Sequence, residues 1–323
     1  MKAIQIQKTG GPEVMQLVDL PTPEPGPGQV RVRNHAVGVN YIDIYHREGL
    51  YPVNPPLVLG TEGAGEIEAV GEGVTRFKPG DRVAYAVRIL GAYAEQHVLP
   101  ADQVAHLPGE LSYEQGAAIM LKGMTCEFLL RRCYPLKAGE ACLVWAASGG
   151  VGSILTQWAH AIGAVVIGVV GSEAKAQTAR ANGCDHVLNH KADDVAARVR
   201  EITSGAGVRV AYDGVGKASF EASLNSLGRR GMLVSFGNAS GPVPAVEPLV
   251  LARHGSLFLT RPTLFDYVTT AEELDESAGA VFEAVRSGEV KAEIGATYPL
   301  AEARRVHEAL AASETTGSTV LIP

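Results

Sequence analysis

A run of small residues near the middle of the chain has the spacing of a phosphate-binding turn. Ala146, Gly149 and Gly152 follow the pattern AxxGxxG, directly after the strand-like segment Leu143–Ala147 and at the start of a predicted helix. Glycines remove the Cβ atoms that would keep a main chain away from a pyrophosphate, and a helix N-terminus offers free N–H groups and partial positive charge. Strand, turn and helix together predict a dinucleotide site.

The end of the second strand after this turn bears on which dinucleotide binds. Sites for NAD usually carry Asp or Glu there, bonded to the ribose 2′-hydroxyl, but this chain has Gly171 and Ser172. Ser172 can donate a hydrogen bond and Lys175 supplies positive charge, which favours a 2′-phosphate and therefore NADPH. Glu173 could take the acidic role or face solvent. His190, after the third strand, is compatible with either a neighbour of the adenosine or a surface residue.

The elements around these residues predict a Rossmann domain. From about residue 134, near-continuous apolar strands alternate with helical segments, which indicates a parallel sheet covered on both faces. Six strands match the order 3-2-1-4-5-6. The predicted strands are Leu143–Ala147, Val165–Val170, His186–Asn189, Val208–Asp213, Met232–Phe236 and Ser256–Thr260.

The first part of the chain predicts a second domain rich in short strands. These strands alternate with Gly- and Pro-rich turns, a pattern typical of a partly closed barrel. They are Lys2–Gln7, Gln16–Asp19, Gln29–Asn34, Gly63–Val70, Asp81–Val87 and Ala92–Leu99. After Arg261 the alternation stops, and we expect the tail to return to this domain. The predicted limits are 1–124 with 263–323 for the barrel domain, and 125–262 for the Rossmann domain.

Composition excludes several classes of protein. A length of 323 residues fits two domains, and the net charge of -7 does not suggest a nucleic-acid or membrane surface. The longest apolar run, Ala164–Val170, is too short to cross a bilayer. No pair of the four cysteines has zinc-site spacing, so we expect reduced thiols in the cytoplasm. The cysteines are Cys126, Cys133, Cys142 and Cys184.

Short segments along the whole chain match one family in order. They are 10–14 (GGPEV), 37–43 (VGVNYID), 60–63 (GTEG), 77–83 (FKPGDRV), 121–125 (LKGMT), 147–152 (ASGGVG), 212–216 (YDGVG), 234–238 (VSFGN) and 317–323 (GSTVLIP). Each segment alone is weak, but their joint order is specific. In this pattern the chain resembles the quinone oxidoreductases (zeta-crystallin-like) of the medium-chain dehydrogenase/reductase superfamily.

The resemblance implies an architecture and an activity. It implies an α/β protein in which a GroES-like β-barrel catalytic domain joins a Rossmann domain, with the active site in the cleft between them. It also implies NADPH-dependent reduction of a small-molecule quinone. A homodimer is expected, and the apolar edge strand Ser256–Thr260 is a candidate interface.

The resemblance also implies roles for individual residues. The matching positions are Asn40, Tyr45 and Thr125 near the nicotinamide and substrate; Ser148, Gly149, Gly150 and Val151 at the pyrophosphate; Ser172, Lys175 and His190 at the adenosine phosphate; and Phe236, Gly237, Asn238, Phe258 and Arg261 along the groove. Three departures from the family pattern stand out: Trp145 in the first Rossmann strand, His160 in the following helix, and the lack of an Arg near Ser313. The last bears on how firmly a 2′-phosphate is held.

The positions of zinc ligands in related alcohol dehydrogenases hold other residues here. Where those enzymes place Cys and His, this chain has Asn40 and Thr61, neither of which is a strong zinc ligand. We therefore expect a metal-free hydride transfer, in which Asn40 and Tyr45 orient the acceptor and Tyr45 or solvent supplies a proton. Tyr45 as a wall of the pocket is the favoured alternative. For Tyr51 and Lys122, the interpretation as surface residues is preferred.

Two other functions remain open at this point. An NADPH-dependent reductase of α,β-unsaturated carbonyls would use the same hydride donor on a related acceptor. A non-catalytic NADPH-binding protein, like the family members that serve as crystallins, would need the glycine turn but not Asn40 or Tyr45.

Overall fold

The computed structural model describes all residues from Met1 to Pro323, and these form two compact units. The first unit contains 1–124, 267–282 and 292–323, and the second contains 125–266 and 283–291. The domain limits predicted from the sequence differ from this division at 263–266 and at 283–291. No helix combines the length and the apolar character needed to span a bilayer.

A six-stranded parallel sheet forms the centre of the second unit. Its strands are β9 (Ala141–Trp145), β10 (Val165–Val170), β11 (His186–Asn189), β12 (Val208–Asp213), β13 (Leu227–Ser235) and β14 (Phe258–Thr260). Their spatial order is β11-β10-β9-β12-β13-β14, which confirms the predicted order 3-2-1-4-5-6. Because the central strands are buried on both faces, they form a core that includes Leu143, Ile167 and Leu233.

Helices connect these strands and cover the sheet. They are α3 (Gly150–Ile162), α4 (Glu173–Ala181), α5 (Val195–Ile202), α6 (Phe220–Ser226) and α7 (Pro248–Arg253). The short polar connections after β9 and β10 lie at the carboxyl ends of the strands. Ligands of open α/β sheets bind at this edge, so the elements place the predicted turn where a cofactor site belongs.

Antiparallel strands dominate the first unit. They are β1 (Lys2–Ile6), β2 (Met15–Asp19), β3 (Gln29–Val39), β4 (Leu57–Val58), β5 (Glu62–Val70), β6 (Arg82–Ala86), β7 (Gln96–Pro100) and β8 (Ala105–His106). One sheet has the order β2-β1-β4, and the second runs through β3, β5, β6 and β8, with β7 also paired to β3. Their inner faces share one core that includes Val32, Ile67 and Leu99.

Most of the C-terminal segment belongs to the first unit, and residues 283–291 belong to the second. The segment contains α8 (Ala271–Arg286), β15 (Ile294–Pro299), α9 (Ala303–Ala311) and β16 (Ser318–Ile322). Strand β16 pairs antiparallel with β3 in the register Thr319↔Val39, and β15 pairs parallel with β16. The tail thereby extends the larger sheet by two strands.

Two helices that carry candidate site residues were not predicted. They are α1 (Tyr41–Glu48) and α2 (Tyr113–Phe128), and the chain passes from the first unit to the second within α2. Residues on nearly every side of α2 are buried, so its sequence lacks the 3.6-residue period of a half-exposed helix. A Cβ atom at Gly123 would lie 2.6 Å from a methyl group of Val281 on α8, so α2 packs too closely for a larger side chain.

Candidate active site

The glycine turn connects β9 to α3 with the close packing that its sequence predicts. Ala146 adopts a left-handed conformation (φ 52°), and the N–H of Gly149 donates to its carbonyl oxygen at 2.8 Å. A Cβ at Gly152 would lie only 2.1 Å from the same oxygen, so only glycine lets α3 approach the strand this closely. Gly149 is the N-cap of α3 and has no side chain to bond the first N–H groups of the helix, which suits an anion.

Residues flanking the turn are mostly buried. Ser148 is 3% exposed, and Gly150 begins α3. The carbonyl oxygen of Val151, in the first turn of α3, accepts a contact from Cys126 Sγ at 3.4 Å. Thr125, predicted to lie near the nicotinamide, precedes Cys126 on α2 and is 8% exposed.

The adenosine end of the candidate site lies where β10 and β11 finish side by side. The pairing Val170↔Asn189 places Gly171 next to His190, and a Cβ at Gly171 would lie 2.9 Å from His190 Nε2. Ser172 is the N-cap of α4, and its Oγ accepts from the Lys175 N–H at 3.4 Å. The structure thus brings the residues predicted for this end together on one edge.

Positive charges converge at the same edge. Partial burial and the charge of Lys191 lower the pKa of Lys175. Burial, followed by the charges of Lys191 and Lys175, lowers the pKa of His190. Two lysines and an imidazole that can donate hydrogen bonds thus lie together, which suits a phosphate group. Lys191 was missed in the sequence, although it directly follows His190 and the pair of basic residues was a usable signal.

Glu173 does not compete for this position. Its carboxylate accepts from Arg180 Nη1 at 2.9 Å on the exposed surface of α4. The pair leaves the end of β10 with Gly171 and Ser172, which carry no negative charge. The interpretation in which Glu173 faces solvent is therefore the one that this geometry favours.

Trp145 lies beneath this edge. Its ring centroid is 6.2 Å from that of His190, and the side chain belongs to the core of the sheet. The indole N–H is buried without a hydrogen-bond partner within the protein. Orphaned donors of this kind are rare in folded proteins. Together with the glycine cradle, the two lysines and His190, this free donor fits the site to a phosphorylated dinucleotide.

The later strands contribute a second loop cluster. Just beyond β13, the Phe236 N–H donates to Asp213 O at 2.8 Å, and a Cβ at Gly237 would lie 2.4 Å from Gly214 O. With its amide turned to satisfy both neighbours, Asn238 accepts from Arg261 Nη2 at 3.3 Å and donates to Gly237 O at 3.0 Å. These residues form a packed wall at the same end of the sheet.

Phe258 is not brought to this wall. It begins β14 opposite Met232, two residues before the strand ends, and 56% of it is exposed. Its position on the edge strand matches the predicted interface better than a place in the groove.

Asn40 is held from two directions in the first unit. As N-cap of α1, it donates its main-chain N–H to Asp43 Oδ2 at 2.9 Å. Its side-chain Nδ2 donates to Glu62 Oε2 at 2.8 Å. Asn40 is 6% exposed, so both contacts are shielded from water. Such an amide has a fixed direction.

Tyr45 belongs to an aromatic group on α1. Its ring meets that of Tyr51 edge-on at 5.2 Å and that of Tyr41 at 6.2 Å, and Tyr45 is 7% exposed. Tyr51 is only partly exposed and packs on this group, so the interpretation as a simple surface aromatic does not describe it fully. The arrangement agrees with Tyr45 as a wall.

A buried hydrogen-bonded chain lies behind Asn40. Asp43 accepts from Thr61 Oγ1 at 3.1 Å and from the Tyr93 hydroxyl at 2.9 Å. The same hydroxyl is 3.0 Å from His307 Nε2, and His307 Nδ1 is 3.1 Å from Arg47 Nη1. Because a guanidinium only donates, Nδ1 must accept and Nε2 must carry the proton. Each hydrogen bond in this series is therefore donated in the same direction, from Arg47 through His307 and Tyr93 to Asp43.

Burial sets the protonation of this chain. It raises the pKa of Asp43 to about 7, against hydrogen bonds that favour the carboxylate. It lowers the pKa of His307 to about 3, with the charge of Arg47 acting in the same direction. The histidine is thus neutral, and the carboxyl group titrates near neutral pH.

Comparison with known proteins identifies the family. Residues 26–109 match the alcohol dehydrogenase GroES-like domain, and 150–283 match the zinc-binding dehydrogenase family. A quinone oxidoreductase of Pseudomonas aeruginosa is 51% identical over 323 residues, covering 100% of this chain and 99% of the relative. The chain belongs to the quinone oxidoreductase family. The predicted family and the fold of a GroES-like domain with a Rossmann domain are confirmed.

Two further members of the wider group are informative. The structure of Escherichia coli quinone oxidoreductase complexed with NADPH matches with a TM-score of 0.98 and 47% identity, covering 100% of both chains. A 2-haloacrylate reductase of Burkholderia is 43% identical over 330 residues, covering 99% of this chain and 98% of the relative. Quinone oxidoreductases and a reductase of an unsaturated acid therefore share this fold closely.

In this quinone oxidoreductase family member, the positions discussed for zinc are occupied by hydrogen-bonding residues. Asn40 bonds to Glu62 and Thr61 to Asp43, and no group of three or more potential ligands among His, Cys, Asp and Glu could hold a metal ion. Lys122 also requires a correction. Lys122 is 5% exposed and its Nζ lies 3.2 Å from Glu62 Oε2, so the interpretation as a surface amine was wrong. The sequence did not reveal this pair because Glu62 is 60 residues away.

Proposed function

We propose that this protein is an NADPH-dependent quinone reductase that transfers a hydride without a metal ion. The observation that carries the proposal is the edge of the parallel sheet, where a glycine cradle meets Lys175, His190 and Lys191. Its support from relatives is the Escherichia coli enzyme, which is complexed with NADPH. The chain keeps both the cradle and the cationic edge that such a cofactor requires.

The second unit supplies the binding groups in this proposal. The first turn of α3, with Ser148, Gly149, Gly150, Val151 and Gly152, holds the pyrophosphate, and Lys175, Lys191 and His190 hold the 2′-phosphate. The loop with Phe236, Gly237, Asn238 and Arg261 lines the remainder of the cofactor site. When bound, NADPH supplies the hydride.

The first unit supplies the acceptor-orienting groups. One Nδ2 proton of Asn40 is committed to Glu62, and we assign the other to the carbonyl oxygen of the acceptor. This donor stabilises the oxyanion that forms as the hydride arrives. Tyr45 forms a wall of the acceptor pocket and Thr125 borders the nicotinamide. Because the hydroquinone oxyanion is stabilised by its ring, Tyr45 or solvent is sufficient as the proton source.

A steady-state assay tests this proposal. We expect NADPH oxidation with 1,4-benzoquinone to have a kcat/KM well above that with NADH, since only NADPH carries the 2′-phosphate. Binding of NADPH without turnover on any acceptor would instead identify a crystallin-like binding protein. No heat of association with NADPH would reject the function altogether.

The second candidate is reduction of an activated double bond next to a carbonyl or carboxylate. The 43% identical 2-haloacrylate reductase favours it, because the same Asn40 donor suits the oxygen of such an acceptor. An assay with 2-chloroacrylate and an enone beside 1,4-benzoquinone separates the two candidates. A kcat/KM at least tenfold higher for either unsaturated acceptor would replace the quinone assignment.

A homodimer in the cytoplasm is the proposed state of the protein. The exposed edge strand β14 carries Phe258, which is 56% exposed, and Leu249 on α7 is 48% exposed. An apolar strand edge needs a partner or a cover, and a second copy of the chain can provide it. Light scattering should give twice the chain mass, and Phe258→Asp should reduce it to a single chain. A monomeric wild-type protein would remove this proposal.

A further inference from the structure

Glu62 is a fully buried carboxylate with three donors. Its Oε2 accepts from Asn40 Nδ2 at 2.8 Å and from Lys122 Nζ at 3.2 Å, and its Oε1 accepts from the Leu121 N–H at 2.6 Å. Glu62 is 0% exposed and Lys122 is 5% exposed. The donors come from the segment before α1 and from the middle of α2.

The surroundings leave this carboxylate no freedom. A Cβ at Gly38 on β3 would lie 2.2 Å from Glu62 Oε2 and 2.3 Å from Ala117 O on α2. Strands β3 and β5 and helix α2 therefore close around the group. A buried ion pair is poor evidence for stability, because desolvation offsets the attraction, so its presence requires another explanation.

We propose that Glu62 and Lys122 are positioning residues that fix the direction of the Asn40 amide. An ionised carboxylate only accepts hydrogen bonds, so it admits the amide nitrogen of Asn40 and excludes the amide oxygen. The second proton on that nitrogen is then directed to the acceptor's carbonyl oxygen. Lys122 pairs with the same carboxylate oxygen of Glu62 at 3.2 Å and supplies its counter-charge. This inference rests on the proposed function, since it assumes that Asn40 orients the acceptor.

Removal of the Lys122 charge should weaken the hold of Glu62 on the Asn40 amide. The ionisable groups that face Glu62 are Lys122 from α2, Asp43 from α1, Tyr85 from β6 and Tyr93 from the segment before β7. Lys122 is the cation among them. Without it, the buried carboxylate loses the donor that lies 3.2 Å from its Oε2, so its charge is uncompensated and its hold on the Asn40 amide is weakened.

The experiment compares Glu62→Gln, Lys122→Met and the double variant with Glu66→Gln as the matched control. Glu66 lies on the same strand, but pairs with Arg33 near the surface at 2.9 Å. We expect each single variant to lower kcat with 1,4-benzoquinone at least about tenfold, as for loss of one charge-assisted contact. The NADPH Kd from calorimetry should stay within about twofold, because the proposal assigns the cofactor to other residues.

One pattern distinguishes positioning from a structural role. The kcat of both single variants and of the double variant should fall while the NADPH Kd is retained, because none of these variants keeps the paired carboxylate that selects the amide nitrogen of Asn40. Wild-type kcat in both single variants, or an equal loss in Glu66→Gln, would overturn the inference.

Glu62→Asp keeps the test decisive if the other variants do not fold. It retains the charge but withdraws the carboxylate by one methylene, so kcat should fall about tenfold while NADPH still binds. A wild-type kcat in this variant would equally sink the idea. A wild-type protein that never oxidises NADPH would reject the proposed function, whereas an active wild type with unaffected variants rejects only the positioning role.

Discussion

The two units treat charge in opposite ways. Around Asn40 in the first unit, opposite charges are buried and paired, as in Glu62 with Lys122. At the sheet edge of the second unit, basic side chains gather near the surface, where partial burial and then the charge of Lys191 lower the pKa of both Lys175 and His190. The first arrangement is complete without a ligand. The second gathers basic groups at one edge, an arrangement that suits an anionic ligand.

The largest effect should come from the cradle. Gly152→Val places side-chain atoms against Ala146 O, which a Cβ alone would approach to 2.1 Å, so α3 must move. We expect the NADPH Kd to rise more than about a hundredfold, since the phosphate-binding turn loses its geometry. Calorimetry measures this change. Gly279→Ala on α8, where a Cβ meets nothing within 4 Å, is the control; unchanged affinity in Gly152→Val would remove the cradle from the site.

The next effect concerns the cationic edge. Lys175→Ala and Lys191→Ala should each raise the NADPH Kd about tenfold and leave the NADH Kd nearly unchanged, because each removes a charge-assisted contact to the 2′-phosphate. Titration with both cofactors measures the ratio. Lys137→Ala, in the turn before β9 at the other end of the sheet, is the control for net charge. Equal losses for both cofactors would mean that these lysines do not recognise the phosphate.

The buried chain of the first unit should show two opposing dependences of stability on pH. The pKa of Asp43 is raised from 3.8 to about 7, so its contribution to stability is present at acid pH and lost between about pH 4 and 7. The pKa of His307 is lowered from 6.5 to about 3, so the stability contributed by the neutral imidazole is lost as the pH falls from about 6.5 to 3. Each slope is on the order of 1 kcal/mol per pH unit.

Single variants separate the two slopes. The free energy of unfolding of the wild type, minus that of Asp43→Asn, should decrease from pH 4 to 7, and the same difference for His307→Gln should increase. Urea denaturation at three pH values measures both. Parallel changes in the two differences would show that the groups do not titrate as the burial of the chain requires.

The smallest effect should come from Glu173→Ala. Glu173 pairs with Arg180 on the surface of α4, and such pairs contribute little. We expect the ratio of the NADPH and NADH dissociation constants to change less than about twofold. A larger change of this ratio in favour of NADPH would show that Glu173 reaches the ribose. The carboxyl edge of the parallel sheet would then contain an acidic group.

Local sequence patterns predicted most of the strands and helices of the fold. Strands β10, β11 and β12 have the limits predicted from their apolar runs, because a parallel strand buried on both faces leaves a continuous signal. Helix α2 was missed for a related reason: burial on nearly all sides erases its periodicity. The sequence could also place the glycine turn, Ser172, Lys175 and His190, since all follow strand ends.

Contacts between distant segments could not be predicted in the same way. Glu62 and Lys122 are separated by 60 residues, and His307 meets Tyr93 across 214 residues. No local spacing encodes such pairs, since they form only when strands and helices close around them. The buried polar contacts of the first unit therefore depend on the complete fold. The residues at the carboxyl edge of the parallel sheet, in contrast, can largely be recognised from short motifs.

The unpartnered indole of Trp145 gives the protein a built-in optical reporter. Only two tryptophans are present, and Trp145 lies 6.2 Å from His190, whereas Trp158 is on α3. A reduced nicotinamide or an adenosine phosphate arriving at this edge should alter the emission of Trp145 and leave that of Trp158 largely as a constant background. Cofactor exchange can thus be followed in unlabelled protein, with Trp145→Phe as the silent reference.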